Sequence, residues 1–165
     1  MFGWRFSRGS YNFSRNNPIA MVEINNLTKI AVSKLFLKRV AKKVLMGENR
    51  IKEELSIAVV DEKEIEELNS RFRGKKEPTD VLAFSGNYEF FDPGNQIGLG
   101  EMVICPEKIR ENAEKYNMEF DKELARVLIH GILHLIGYDH EKSKADAVNM
   151  REKEEYYLTK FLISN

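Results

Sequence analysis

All three histidines of this chain fall within eleven residues, His130-Gly-Ile-Leu-His134-Leu-Ile-Gly-Tyr-Asp-His140. The run sets a helix, its stop and a loop together. Residues four apart on an α-helix share a face, with Cβ atoms about 5–6 Å apart. The imidazoles of His130 and His134 can therefore converge on one ion at a Zn–N distance of about 2.0–2.1 Å. Gly137 can take the left-handed conformation that ends a helix, and the turn after it can bring His140 to the same ion. Three protein ligands leave a fourth tetrahedral position for water, the arrangement of catalytic rather than structural zinc.

The spacing H-x-x-x-H-x-x-G-x-x-H resembles the zinc-binding helix of metzincin proteases, with one departure. Gly131 stands where those enzymes carry the general-base glutamate. The ligand set of a hydrolytic site is present without its usual base. Three imidazoles suit one zinc ion, and nickel or copper as well, so the run points to a divalent metal without fixing which.

At 165 residues, 42% hydrophobic and 32% charged, the chain reads as one soluble globular domain. Its formal charge is zero, so no global field draws in nucleic acid, and any such contact must come from a local basic patch. The single cysteine, Cys105, excludes a disulfide partner within the chain and fits a reducing cytoplasm. It ends an apolar strand before Pro106 and reads as a small buried residue. No apolar run approaches the roughly 18 residues of a membrane span. Residues 1–20 interleave Arg5, Arg8 and Arg15 with Trp4, Phe6, Tyr11 and Phe13. They read as a disordered extension, with an RNA-contacting arm as the alternative. Residues 21–165 form the domain.

The element order predicts an α/β (α+β) fold: a small, mixed, mostly parallel four-stranded sheet covered by helices. A strand at Val22 to Asn25 precedes a helix capped by Asn26 or Thr28 and running to about Met46. Leu55, Ile57 and Val59 alternate in a second strand. Asp61 caps a helix to about Arg71, and a basic turn leads to a strand at Val81 to Phe84. The stretch Gly86 to Gly98 is long for a hairpin loop and is a candidate lid. Leu99 to Cys105 is the fourth strand and Pro106 opens a helix. The histidine helix from Asp121 and a last helix from Lys144 to Leu162 complete a C-terminal helical group.

HGILHLIGYDH resembles the signature of the YbeY family of bacterial rRNA-processing factors, H-G-x-L-H-L-x-G-Y-D-H. Two further segments agree with that family, Leu68-Asn-x-x-Phe-Arg73 leading into Pro78-Thr-Asp-Val-Leu-Ala-Phe84, and Leu99-Gly-Glu-Met-Val-Ile104. The resemblance spans Met21 to Leu162. It implies a metal-dependent, single-strand-specific endoribonuclease acting in rRNA maturation, the 3′ end of the small-subunit rRNA included, and in ribosome quality control. It also implies single-stranded RNA and the small ribosomal subunit as partners, in the cytoplasm. The family's metal ligands map onto His130, His134 and His140, and its essential arginine onto Arg73. Ala83 departs from the serine usual there, and the N-terminal extension lies outside the resemblance.

Phosphodiester cleavage needs a nucleophile, charge stabilisation on the phosphoryl oxygens and protonation of the leaving oxygen. A zinc ion serves the first two by acidifying water and acting as a Lewis acid. Arg73 suits the remaining charge work, since a guanidinium grips two phosphate oxygens and stays ionised. Phosphoryl chemistry leans on positioned positive charge more than on a carboxylate base, so Gly131 is less damaging here than in a peptidase. Arg71, Arg73, Lys75 and Lys76 form the candidate phosphate surface, with a solvated charge run as the alternative. Asp80, Glu101 and Asp139 are the candidates to replace the base or to orient a ligating imidazole. Two other functions remain open on the residues: a zinc peptidase or amidohydrolase, and a non-catalytic ribosome-assembly factor stabilised by its metal.

Overall fold

Strand alternation and helical periodicity produce the expected framework. The computed structural model describes residues 21–85 and 98–163. Its elements are β1 (Val22–Asn26), α1 (Lys34–Gly47), β2 (Glu54–Val59), α2 (Glu62–Arg73), β3 (Val81–Ser85), β4 (Gly98–Ile104), α3 (Pro106–Lys115), α4 (Phe120–Ile136) and α5 (Lys144–Ile163). The four strands lie in the order β1-β2-β4-β3. β1 and β4 flank β2 in parallel, and β3 closes the edge antiparallel to β4. The expected mixed, mostly parallel α/β sheet is what forms. Residues 1–20 and 86–97, and with them the expected disordered extension and lid, lie outside the described residues.

The sheet buries both faces, unequally. On one side Ala58, Val60, Leu82, Val103 and Cys105 pack with Ile65 of α2. On the other, Leu55, Ile57, Met102 and Ile104 meet the main core, to which α1, α4 and α5 all contribute. Helix α4 is the central piece of that side, with Leu124, Val127, Leu128, Ile132 and Leu133 all buried. Fully burying each such side chain contributes about 1.5–3 kcal/mol. Cys105 is fully buried, and burial pushes its thiol up to about 12, so it is a packing residue. No described helix is long and apolar enough to cross a membrane.

Several boundaries shift by a single residue, and two differ by more. Ser33, and neither Asn26 nor Thr28, caps α1, its Oγ accepting from the Phe36 N–H at 3.2 Å. Asn26 and Thr28 bond to their own neighbourhood instead. Asn26 Oδ1 accepts from Thr28 N–H at 2.9 Å, and Asn26 Nδ2 donates to the Ile30 carbonyl at 2.8 Å. Such short polar side chains compete with helix formation by bonding locally. Helix α2 runs on to Arg73 and stops at Gly74, whose φ of 69° is left-handed. That extension places Arg73 in the last helical turn rather than in a loose basic turn.

Gly131 gives the close approach of α4 to the sheet. A Cβ there would lie 2.5 Å from Met102 Cε of β4 and 3.4 Å from Val81 Cγ2 of β3. Gly131→Ala therefore overpacks this contact at about 1–3 kcal/mol, less about 1 kcal/mol returned by helix propensity. Gly131→Glu forces a carboxylate into the same place and destabilises more. Urea unfolding of the two variants checks that order, and wild-type stability in Gly131→Glu would show that α4 is not tightly seated.

Candidate metal centre and cleft

The apolar stripe of α4 seats it on the sheet, and the opposite flank carries His130 and His134 one turn apart. Their Nε2 atoms are 3.1 Å from one another. Gly137, with φ of 116°, ends the helix, and its N–H donates to the carbonyls of His134 and Leu133 at 3.0 and 3.2 Å. The chain then turns back so that one ring nitrogen from each of His130, His134 and His140 lies within 4.8 Å of the others. His130 and His134 are half-buried and His140 is exposed. A modest closing of the longer separations, to within about twice the Zn–N bond of about 2.0–2.1 Å, would let the three nitrogens share one ion. Burial first, then the neighbouring His130 and His140, lowers the His134 pKa, which favours the neutral imidazole a metal requires.

A carboxylate backs His130. Glu154 of α5 places Oε1 2.5 Å from His130 Nδ1. A proton held on Nδ1 leaves the Nε2 lone pair directed at the other histidines. Nothing in the sequence pointed to Glu154, because it lies 24 residues away and meets His130 only through the packing of α5 on α4. Asp139, the sequence candidate for such a role, instead accepts from the Glu141 N–H at 2.8 Å and shapes the turn that delivers His140.

The same turn is tied down through Tyr138. Its hydroxyl donates to Glu48 Oε2 at 2.9 Å, while Lys153 and the Tyr157 hydroxyl donate to Glu48 Oε1 at 2.8 and 2.6 Å. Glu48 follows the last residue of α1, so one carboxylate joins α1, α5 and the loop of His140. Burial works against its ionisation, but the three donors outweigh it and hold its pKa below the ordinary value of 4.5.

A cleft of about 520 Å³ opens beside the histidines. Arg73, Lys75, Asp80 and Arg126 line it together with all three rings. The four-residue basic cluster is thus divided. Arg73 and Lys75 face the histidines, whereas Arg71 and Lys76 border a separate groove with Glu66 and Glu67. Arg71 also lies over the Phe72 ring, 5.3 Å from its centroid. The turn between them is held by buried Asn69, whose amide donates to the Glu77 carbonyl at 2.8 Å.

Asp80 lies in the cleft, with Asn112 Nδ2 and Thr79 Oγ1 each donating to it at 3.3 Å. Glu101 does not join them. It alternates with Met102, which packs against Gly131, and shares the α2-side face with Val103. Ala83 lines the cleft, presenting a methyl group. Arg126 escaped the sequence reading, although its place four residues before His130 puts it on the histidine flank of α4.

The family model described as Endoribonuclease YbeY matches residues 19–162. A Bdellovibrio bacteriovorus protein named Endoribonuclease YbeY is 43% identical over 114 residues, covering 69% of this chain and 69% of that one. A Thermodesulfovibrio yellowstonii protein of the same name is 44% identical over 105 residues, covering 64% of this chain and 65% of its own length. A Petrotoga mobilis namesake is 42% identical over 123 residues, covering 74% and 81%. A solution structure of a Thermotoga maritima protein is similar with a TM-score of 0.58 and 36% identity, covering 84% of this chain and 87% of that one.

Two outcomes follow from this geometry. Glu154→Gln removes the anionic partner of His130 and is expected to weaken zinc binding about 10–100-fold, read by competition with a chromophoric chelator. Glu48 has a depressed pKa in the fold, so its stabilising contribution is complete above 4.5 and is lost as pH falls through the lower folded value. Glu48→Gln should therefore be less stable at neutral pH and show a flatter acid limb below 4.5 in urea unfolding at a series of pH values.

Proposed function

Because the chain belongs to the YbeY family, we propose that it is an endoribonuclease cutting single-stranded RNA at a divalent metal held by His130, His134 and His140. The observation that carries this reading is the convergence of three imidazoles beside Arg73 in one open cleft. The name borne by the relatives supplies the reaction class. The substrate in this reading is ribosomal RNA during small-subunit maturation in the cytoplasm, as the family signature implies.

Zinc suits the imidazole set, and nickel shares that preference. A bound divalent ion supplies Lewis acidity and activation of water near neutral pH. The chain's own residues do the rest. His130 and His134 are held with their Nε2 atoms together, and Glu154 keeps His130 in the tautomer that binds. Arg73, at the end of α2, grips the non-bridging phosphate oxygens with a planar, permanently charged group. Lys75 adds a point charge on the same side. Asp80, anchored by Asn112 in the cleft, is the carboxylate placed to hold a proton during the reaction.

The peptidase or amidohydrolase reading would take one of the carboxylates as its base, and Asp80 is the one of the three candidates that lines the cleft; the family match does not favour it. The assembly-factor reading predicts a strong fall in melting temperature on chelation and no RNA cleavage at all. Zinc-loaded protein tested on single-stranded RNA and on a peptide panel separates the three. Arg73→Ala is expected to lower kcat/KM about 10²–10³-fold with zinc binding retained, and His130→Ala to abolish cleavage together with tight zinc binding. Undiminished RNA cleavage in both variants would identify a contaminating nuclease and end this reading.

A further inference from the structure

The cleft holds a second guanidinium that the reading above leaves unused. Arg126 stands one helical turn before His130 on α4 and lines the cleft with Arg73. Its Nε and Nη2 donate to the two carboxylate oxygens of Glu123, at 2.8 and 2.5 Å. Glu123 is fully buried, whereas about a third of the Arg126 side chain is exposed. A bidentate pair of this kind has a single geometry, and a buried anion deprived of its partner is heavily penalised. One edge of the guanidinium is therefore fixed inward, and Nη1 stays outside the pair.

We infer that Arg126 is a subsite for a second phosphate of the RNA strand, next to the one being cleaved. This deepens the proposed function and rests on it. Arg126, His130 and His134 follow one another at intervals of four residues along the cleft flank of α4, a rise of about 6 Å each. That interval is comparable with the separation of successive phosphates in an extended single strand. Arg73 and Lys75 approach from the α2 side, so one phosphate meets Arg73 beside the histidines while its neighbour meets Arg126. Asp80 and Glu154 also act electrostatically on Arg126. With Glu123 they offset its charge, so the subsite works through directed N–H donors more than through net charge.

The test uses zinc-loaded full-length protein with two substrates: a single-stranded RNA dodecamer and a dinucleotide with only the scissile phosphate. Binding is read separately by fluorescence anisotropy on the same dodecamer carrying 2′-O-methyl groups. Arg126→Met keeps the stem packed, and the double variant Glu123→Gln/Arg126→Met removes the unpaired buried charge. Both variants are expected to bind the dodecamer about tenfold more weakly, with a salt slope shallower by up to about one. The rise in KM on the dodecamer should exceed that on the dinucleotide by the same factor, with zinc affinity within about twofold of wild type. Equal losses on the two substrates, or a parallel loss of zinc, would make Arg126 a structural residue and overturn the inference. So would unchanged dodecamer binding. A wild-type protein that binds the dodecamer without cutting it would overturn the proposed function, while the binding comparison still decides the role of Arg126. A wild-type protein that neither binds nor cuts overturns both.

Discussion

Helix α4 has to satisfy two demands that pull in opposite directions. It must bury Leu124, Val127, Leu128, Ile132 and Leu133 against the sheet and its neighbouring helices, and it must present Arg126, His130 and His134 to a polar cleft. The apolar stripe supplies the seating energy, at about 1.5–3 kcal/mol for each large side chain fully buried. The polar flank spends part of that energy by drawing ionisable groups out of water. The seat is tight because Gly131 lets Met102 lie where a side chain would otherwise stand. The wall of the cleft that α4 forms and the seat of α5 both rest on this packing.

Three glutamates resolve the cost of the polar flank, each in a different way. Glu154 engages the ring of His130, Glu123 pins Arg126, and Glu48 anchors the loop of His140 through Tyr138. Each comes from outside the eleven-residue signature. Among the described residues, no buried side-chain nitrogen or oxygen lacks a hydrogen-bond partner. That completeness matters in a low-dielectric site, where an unpaired polar group costs more than a paired one returns. One acid holds His130 directly, and the other two hold its neighbours Arg126 and Tyr138.

Gly131 takes on a second meaning in this setting. Read as a sequence, it is a missing base and an argument against peptide chemistry. In the fold it is also a packing residue, since the terminal methyl of Met102 lies where a Cβ at this position would stand. Asp80 reaches the cleft from the start of β3, beyond the turn that carries Lys75. Positive charge and a carboxylate thus meet at the histidines from a different element of the chain.

The sequence by itself determined that three histidines lie on one helix and the turn after it, the left-handed stop between them, and a mostly parallel four-stranded sheet. These depend on local periodicity and on turn chemistry, which act over a few residues. Only the tertiary structure decided that Arg73 and Lys75 share the cleft while Arg71 and Lys76 do not, because a side chain's direction depends on where its helix ends. It alone placed Glu101 on the far face of β4, and it alone brought Glu154 and Glu48 to the site. Those pairings join residues 24 and 90 positions apart, and no local pattern encodes them. They arise because α1 and α5 must bury their own apolar faces against α4, and the carboxylates arrive with them.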